Sequence, residues 1–307
     1  MEISYRIVKE TVCIDKIENP GTVVVVPEEV EGRPVTELGA YVLSGSSVEE
    51  VYLPSHLVKI GAYGFYGCEE LRRLHVYGRL TDLGTGLFAG VQGVEHLEFT
   101  EFAGERSGFK ELLSELRQTL RVTLWRREAD GKTTQARLIF PEYYEESVEN
   151  TPARIIMREM HGCGHMYRYC FDGGDFRFDE YDRLFPHVKV QEKPELAVRL
   201  ALYRLYWPCG LRESAEDEYW DYVRTHAGEG AKGLIERGER DILGFMARSA
   251  RLGEDEIKKM IEAAAGSGDA QSSALLLDVK HRRLSPAGRN GQGEEAKRCG
   301  RKRTFEL

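Results

Sequence analysis

Between residues 38 and 99, apolar and polar positions recur three times in one order. Leu38-Gly39, Ile60-Gly61 and Leu83-Gly84 open the units, 22 and 23 residues apart. Four residues after each glycine stands a large apolar side chain: Leu43, Phe65, Phe88. Two further on comes a second glycine: Gly45, Gly67, Gly90. An apolar residue follows (Val48, Leu71, Val94). An alternating apolar pair closes each unit: Val51 and Leu53, Leu74 and Val76, Leu97 and Phe99. Alternation of period two predicts a short strand with one buried face. The glycines permit the bends that return the chain, and only a stack of such units buries its apolar faces. A period in this range indicates a leucine-rich solenoid. An irregular earlier unit, Thr22 to Val35, fits the same plan, with Val26-Pro27 matching Leu53-Pro54.

The stretch IGAYGFYGCEELRRLHV resembles the BspA-like leucine-rich repeat, with Gly61, Phe65, Cys68, Leu71, Leu74 and Val76 on the pattern. Ser46 and Val91 depart from it where the cysteine would stand, and Gly64 replaces the small alanine before Phe65. The resemblance covers about residues 20–100. It implies a curved binding or adhesion scaffold and carries no catalytic residues.

After Phe99 the period is lost. Residues 107–120 have helical spacing, with Phe109, Leu112, Leu113, Leu116 and Leu120 on one face and Ser107 as N-cap. Val122 to Arg127 and Thr134 to Phe140 read as a hairpin about Asp130-Gly131. Pro141 to Pro152 reads as an acidic linker. Two extended segments, ARIIMREMH and MYRYCF, are expected around a glycine turn, then a short helix near Phe178 to Phe185. The YRYCF and FDEYDRLF segments resemble those that follow such repeats in hypothetical proteins of gut-type Gram-positive bacteria. The resemblance implies a bacterial source and no particular role.

A helix starts at Pro194, with Leu196, Leu200, Tyr203 and Trp207 as its stripe, and Pro208 and Gly210 end it. Ser214 is the expected cap of the next helix. Short helices punctuated by Gly238, Gly253 and Gly268 follow, in the rhythm of an α-solenoid. LIERGERDILGFMARSARL resembles the ankyrin-type helix pair, without its TPLHxA signature; an irregular helical bundle is the other reading.

The expected fold class is therefore α+β: a short leucine-rich-repeat β-solenoid (1–104), a small α+β connector with hairpins (105–190), a C-terminal α-helical repeat region (191–284), and a disordered basic tail (285–307).

Composition changes this picture little. Hydrophobic residues make up 41% and charged residues 31% of the 307, which suits a globular chain of about two domains. No run of about 20 apolar residues is present to span a bilayer, and no secretory signal is seen, so the cytoplasm is the expected location and a membrane is not an expected partner. The six cysteines are scattered and are expected as thiols. The net charge of −8 divides into about +6 from Lys280 onward and −14 before it. An acidic body argues against nucleic acid as a partner, and the basic run near the end reads as a solvated tail.

Candidate chemistry is sparse. HGCGHMYRYC offers His161, Cys163, His165 and Cys170, the ligand types of zinc. Their spacing departs from zinc patterns, and Gly162 and Gly164 read as a turn between two strands. A thiol nucleophile at Cys163 lacks an orienting third group. The acidic stretch DGGDFRFDEYD lacks the register of a calcium loop and reads as a solvated turn. No cofactor is expected, and no enzyme. The leading expectation is a non-catalytic scaffold binding an unknown protein partner through the outward strand residues Glu50, Tyr52, Arg73, His75, His96 and Glu98. The alternative is a metal-binding or thiol-dependent protein built on His161 to Cys170.

Overall fold

The computed structural model describes residues 1–150 and 155–284; the tail expected at 285–307 lies outside them. The chain divides into two compact units. The first comprises residues 1–192 and Trp207–Leu211, and the second Lys193–Tyr206 and the residues from Arg212 onward. The expected segments 1–104 and 105–190 thus fall in one unit.

The first unit opens with strands β1 (Glu2–Val8), β2 (Thr11–Glu18), β3 (Val23–Val25), β4 (Glu29–Val30), β5 (Arg33–Leu38), β6 (Glu50–Tyr52), β7 (Lys59–Ile60), β8 (Arg73–Tyr77), β9 (Asp82–Leu83) and β10 (His96–Phe102). Helix α1 (Phe109–Glu115), then β11 (Leu120–Arg127) and β12 (Thr133–Phe140), follow. Successive coils feed two sheets alternately. One runs β1-β2-β5-β7-β9, with β4 beside β5; the other runs β12-β11-β10-β8-β6-β3. The coil-to-coil pairings are parallel, and an antiparallel hairpin ends each sheet: β1–β2 on one and β11–β12 on the other. This is a β-solenoid.

Its core follows from the repeat. Val24, Val51, Leu74, Leu97, Val122 and Leu138 stand in one register across six strands, and all are buried. The ring of Phe65 stacks on that of Phe88 at 5.5 Å, so each coil rests on the next. The two glycine positions serve different ends. Gly45, Gly67 and Gly90 have φ of 69°, 67° and 79° and make left-handed turns. Gly39, Gly61 and Gly84 are needed for closeness. A Cβ on Gly61 would lie 2.5 Å from the Ala40 nitrogen, and one on Gly84 2.3 Å from the Gly61 carbonyl carbon.

Several local expectations are corrected. α1 stops at Glu115, because Leu116 is extended and Leu120 opens β11; all five apolar residues are nevertheless buried. Gly108 is its N-cap, while Ser107 Oγ accepts the Phe109 N–H at 3.3 Å. The supposed acidic linker contains β13 (Tyr144–Asn150), paired antiparallel with β14 (Ile155–His161). MYRYCF does not form the expected strand: only its last residue, Phe171, enters one. Gly162, with φ of 85°, turns the chain into α2 (Gly164–Tyr167), and Gly164 packs on Pro141, where a Cβ would lie 2.0 Å from the carbonyl oxygen. A small hairpin, β15 (Phe171–Asp172) and β16 (Asp175–Phe176), turns on Gly173-Gly174, then α3 (Phe178–Arg183) and α4 (Phe185–Gln191) complete the unit. Asp172 and Asp175 are exposed, but Asp182 is buried and is not part of a solvated turn. Four aromatic residues here are core: Phe109, Phe140, Phe176 and Tyr181 meet edge to face. At their margin Arg168 is fully buried. It donates to the carbonyls of Leu116, Gln118, Pro141 and Gly164 at 2.6–2.9 Å.

The second unit is helical: α5 (Pro194–Tyr206), α6 (Glu213–Thr225), α7 (Ala227–Glu236), α8 (Arg240–Arg248), α9 (Glu254–Ser267) and α10 (Ala270–Leu284). α7 packs against both α5 and α9, and α8 against α10. α5 differs from its expected single stripe. Every residue from Ala197 to Leu205 is buried, including Arg199 and Arg204, and Trp207 lies beyond the helix in the first unit. Ser214 lies inside α6, whose N-cap is Arg212. Gly238 and Gly268, with φ of 69° and 70°, end α7 and α9. An acid follows each glycine. Glu239 accepts Arg199 at 2.6–3.1 Å and Asp269 accepts Arg240 at 3.3 Å, so the same kind of link recurs one helix pair later.

A candidate binding face on the sheet

Strand alternation places Glu50, Tyr52, Arg73, His75, His96 and Glu98 on the outer face of the second sheet. Their inward neighbours Val51, Leu53, Leu74, Val76, Leu97 and Phe99 are buried. Two rows cross β6, β8 and β10: Glu50, Arg73, His96 and Tyr52, His75, Glu98. Tyr52 and Arg73 are exposed, and the other four are half-buried.

Five of the six join in one network centred on His75. Its Nε2 lies 2.7 Å from Glu50 Oε1 and its Nδ1 3.4 Å from Glu98 Oε2. The Tyr52 hydroxyl donates to the same Glu50 oxygen at 2.8 Å, and Arg73 lies 3.7 Å from the other. Burial opposes the charged imidazole of His75, but its bonds to Glu98 and Glu50 prevail, and its pKa lies above the ordinary histidine value. The bond from His75 draws Glu98 below the ordinary carboxylate range against its burial. Burial likewise opposes ionisation of Glu50, and its bonds to His75 and Tyr52 outweigh it. His96 stands apart, bonded to the Thr123 hydroxyl at 3.0 Å. Burial and the Arg121 guanidinium push its pKa down to about 4, so it is neutral where His75 is poised to ionise.

Side-chain alternation in β11 could have revealed two further members of this face. Thr123 and Trp125 alternate with the core residues Val122 and Leu124; Thr123 is covered, and Trp125 donates to Glu98 at 2.7 Å. One end of the face is closed. Tyr181 binds the backbone of Ile139 through its hydroxyl, and Trp207 covers the Arg137 guanidinium at 4.4 Å. At the other end Val23 and Val25 are 52% and 58% exposed beside Glu50 and Tyr52, which extends the open face with apolar surface.

The His/Cys stretch does not assemble. His161 stacks on Tyr144 and faces Glu146 at 3.2 Å, while His165 sits between the rings of Tyr143 and Tyr169. Cys163 and Cys170 are buried, and burial pushes both thiols up to about 12. Such thiols are poor nucleophiles at neutral pH. Among the described residues no group of three metal-ligating side chains converges.

With coil geometry and repeat residues in place, the repeat can be assigned. Residues 34–107 match the BspA type leucine rich repeat region. The match comprises six copies, and the six outward residues on β6, β8 and β10 all fall within it. Solved structures similar to the chain include a leucine-rich repeat protein from Bacteroides ovatus, 22% identical with a TM-score of 0.27, over 32% of this chain and 30% of that one. A leucine rich cell surface protein from Faecalibacterium prausnitzii is 13% identical with a TM-score of 0.26, over 43% of this chain and 58% of that one. The leucine-rich repeat protein of T. pallidum is 16% identical with a TM-score of 0.22, over 34% and 75%. The chain thus spans less than two thirds of the first two proteins. No curated protein matches it.

Proposed function

We propose that the protein is a non-catalytic scaffold that binds a protein partner through the outer face of the second sheet. Leucine-rich repeats generally mediate protein–protein interaction or adhesion, which supports this reading. The observation that carries it is the register of Tyr52, Arg73, His75, Glu50 and Glu98 across three adjacent coils. An exposed aromatic ring and an exposed arginine stand on a pre-ordered charged network. Tyr and Arg are the side chains on which interface energy concentrates, and a rigid sheet loses little entropy on binding.

The helical unit is read as ankyrin-like helix pairs. Its support is the recurrence of a left-handed glycine, a following acid and an arginine link at Gly238-Glu239 and Gly268-Asp269. It would present a second, independent surface.

A photo-crosslinking amino acid at position 73 of the full chain tests the reading in the native cell, with position 70 on the return segment as control. The expected result is a discrete protein adduct from position 73 that is lost when Tyr52→Ala is added. Equal adducts from both positions, or indifference to Tyr52→Ala, would refute the sheet face as the contact zone.

A further inference from the structure

Strand β1 is seven residues long, and in the described residues only β2 pairs with it. The other strands that end the two solenoid sheets are shorter or partly occupied. β3 has three residues and β9 two. On β12, Ile139 has both backbone groups bonded to Tyr181. An open edge strand is a template for another strand unless it is blunted by proline, a bulge or an inward charge. β1 contains no proline. Its register shift against β2 falls between Ser4 and Tyr5, where Asp15 is the extra residue on β2. β1 itself therefore keeps regular alternation.

That alternation sorts its two faces. Ile3, Tyr5 and Ile7 share the face of Ile17, Ile14 and Val12, their β2 partners, which are core. On β1 this apolar face overhangs the core, and Tyr5 and Ile7 are exposed. Glu2, Ser4 and Arg6 occupy the other face, and all three are exposed.

We infer that β1 pairs antiparallel with β1 of a second copy of this chain, about a two-fold axis at Ser4. A two-fold edge contact sets each residue opposite a partner at a fixed sum of positions. About Ser4 that rule puts Glu2 opposite Arg6, Ile3 opposite Tyr5, Ser4 opposite itself, and Met1 opposite Ile7. Each charge then meets its opposite, twice, and each apolar residue meets an apolar one. Cross-strand pairs of this kind stabilise a sheet, whereas like charges directly opposite oppose it. Arg6 already binds Asp15 of its own hairpin, and its remaining N–H groups suffice for a second carboxylate. The pairing would make one continuous sheet of two solenoids and would leave the outer face of the second sheet free.

Sedimentation of the full chain at low salt tests this. The expected result is a concentration-dependent dimer. Glu2→Arg and Arg6→Glu should each weaken it by about tenfold or more, because each sets like charges opposite one another twice. An equimolar mixture of the two variants should associate again, because it sets opposite charges at both positions. A monomer at every concentration, variants that self-associate like the parent, or a mixture no tighter than either variant would each overturn the proposal. Should Arg6→Glu fail to fold, Ser4→Cys in a Cys209→Ser, Cys299→Ser background decides. Mild oxidation should yield a linked dimer from Ser4→Cys and none from Glu10→Cys, and equal linkage of the two refutes the register.

Discussion

The Tyr52 ring lies flat on the imidazole of His75, with centroids 3.8 Å apart and planes within 10°. Both side chains also bind one oxygen of Glu50, so a single carboxylate holds a stacked pair that spans two coils. The stack covers one side of the imidazole, and a carboxylate stands at each of its two nitrogens. The result is a histidine fixed in position with its proton balance set by its neighbours.

This arrangement separates two histidines that stand on adjacent strands. Proton-detected titration of the ring resonances should place His75 above 6.5 and His96 near about 4. The consequences for stability have opposite signs. The pKa of His75 is raised on folding, so its contribution is complete below 6.5 and is lost as pH rises through the raised value. That of His96 is lowered, so its contribution is present above 6.5 and is lost as pH falls toward about 4. Denaturant unfolding over this range should show His75→Gln losing stability most on the acid side of neutrality. Equal losses at pH 5 and 9 would contradict the network.

The two kinds of repeat glycine should respond differently to a methyl group. Gly61→Ala forces a carbon into the backbone of the preceding coil at Ala40 and is expected to cost about 3 kcal/mol. Gly45→Ala meets open space and only pays for its positive φ, about 1 kcal/mol. Urea midpoints of the two variants give the comparison, and the reverse order would contradict the stacked-coil geometry.

Arg168 hydrogen-bonds to four carbonyls, two from the loop after α1, one just past β12 and one from α2. Burial lowers its pKa to about 10, so it remains a cation at neutral pH. Arg168→Met leaves those carbonyls buried without a donor and should cost about 3–5 kcal/mol. Arg168→Lys should recover little, because one ammonium cannot span the same fork of acceptors. A lysine variant as stable as the parent would show that the charge alone matters.

The thiols of Cys163 and Cys170 should be silent in the folded protein. At pH 8 a disulfide reagent is expected to modify half-exposed Cys209 and to reach Cys163 and Cys170 only after denaturation, given pKa values of about 12 for both. Purified protein should carry no stoichiometric zinc. Zinc at one equivalent, lost on Cys163→Ser or Cys170→Ser, would restore the metal reading.

The solenoid was readable in the chain because its determinants are local and repeated. A glycine, a large apolar residue, a second glycine and an apolar pair, written three times, dictate which face of each strand is buried, and Val51, Leu74 and Leu97 do align. The outward positions follow from the same parity, so the six face residues could be named from spacing alone. Period cannot show which of these side chains meet. The bond of His75 to both Glu50 and Glu98, and the isolation of His96 beside Thr123, depend on distances between coils. Where repetition ends, local signals compete with tertiary ones. The acidic stretch after Pro141 forms a strand because β14 offers a partner, and MYRYCF begins as a helical turn because Gly164 must pack against Pro141. Arg168 and the all-round burial of α5 had no signal in the pattern, since a charged residue is interior only where distant backbone groups supply its partners. Sequence by itself determined the coil, its period and the sides of its strands, because these arise from neighbours within one unit. Only tertiary structure decided the polar network, the covered end of the face and the open edge at β1, because each depends on groups far apart in the chain.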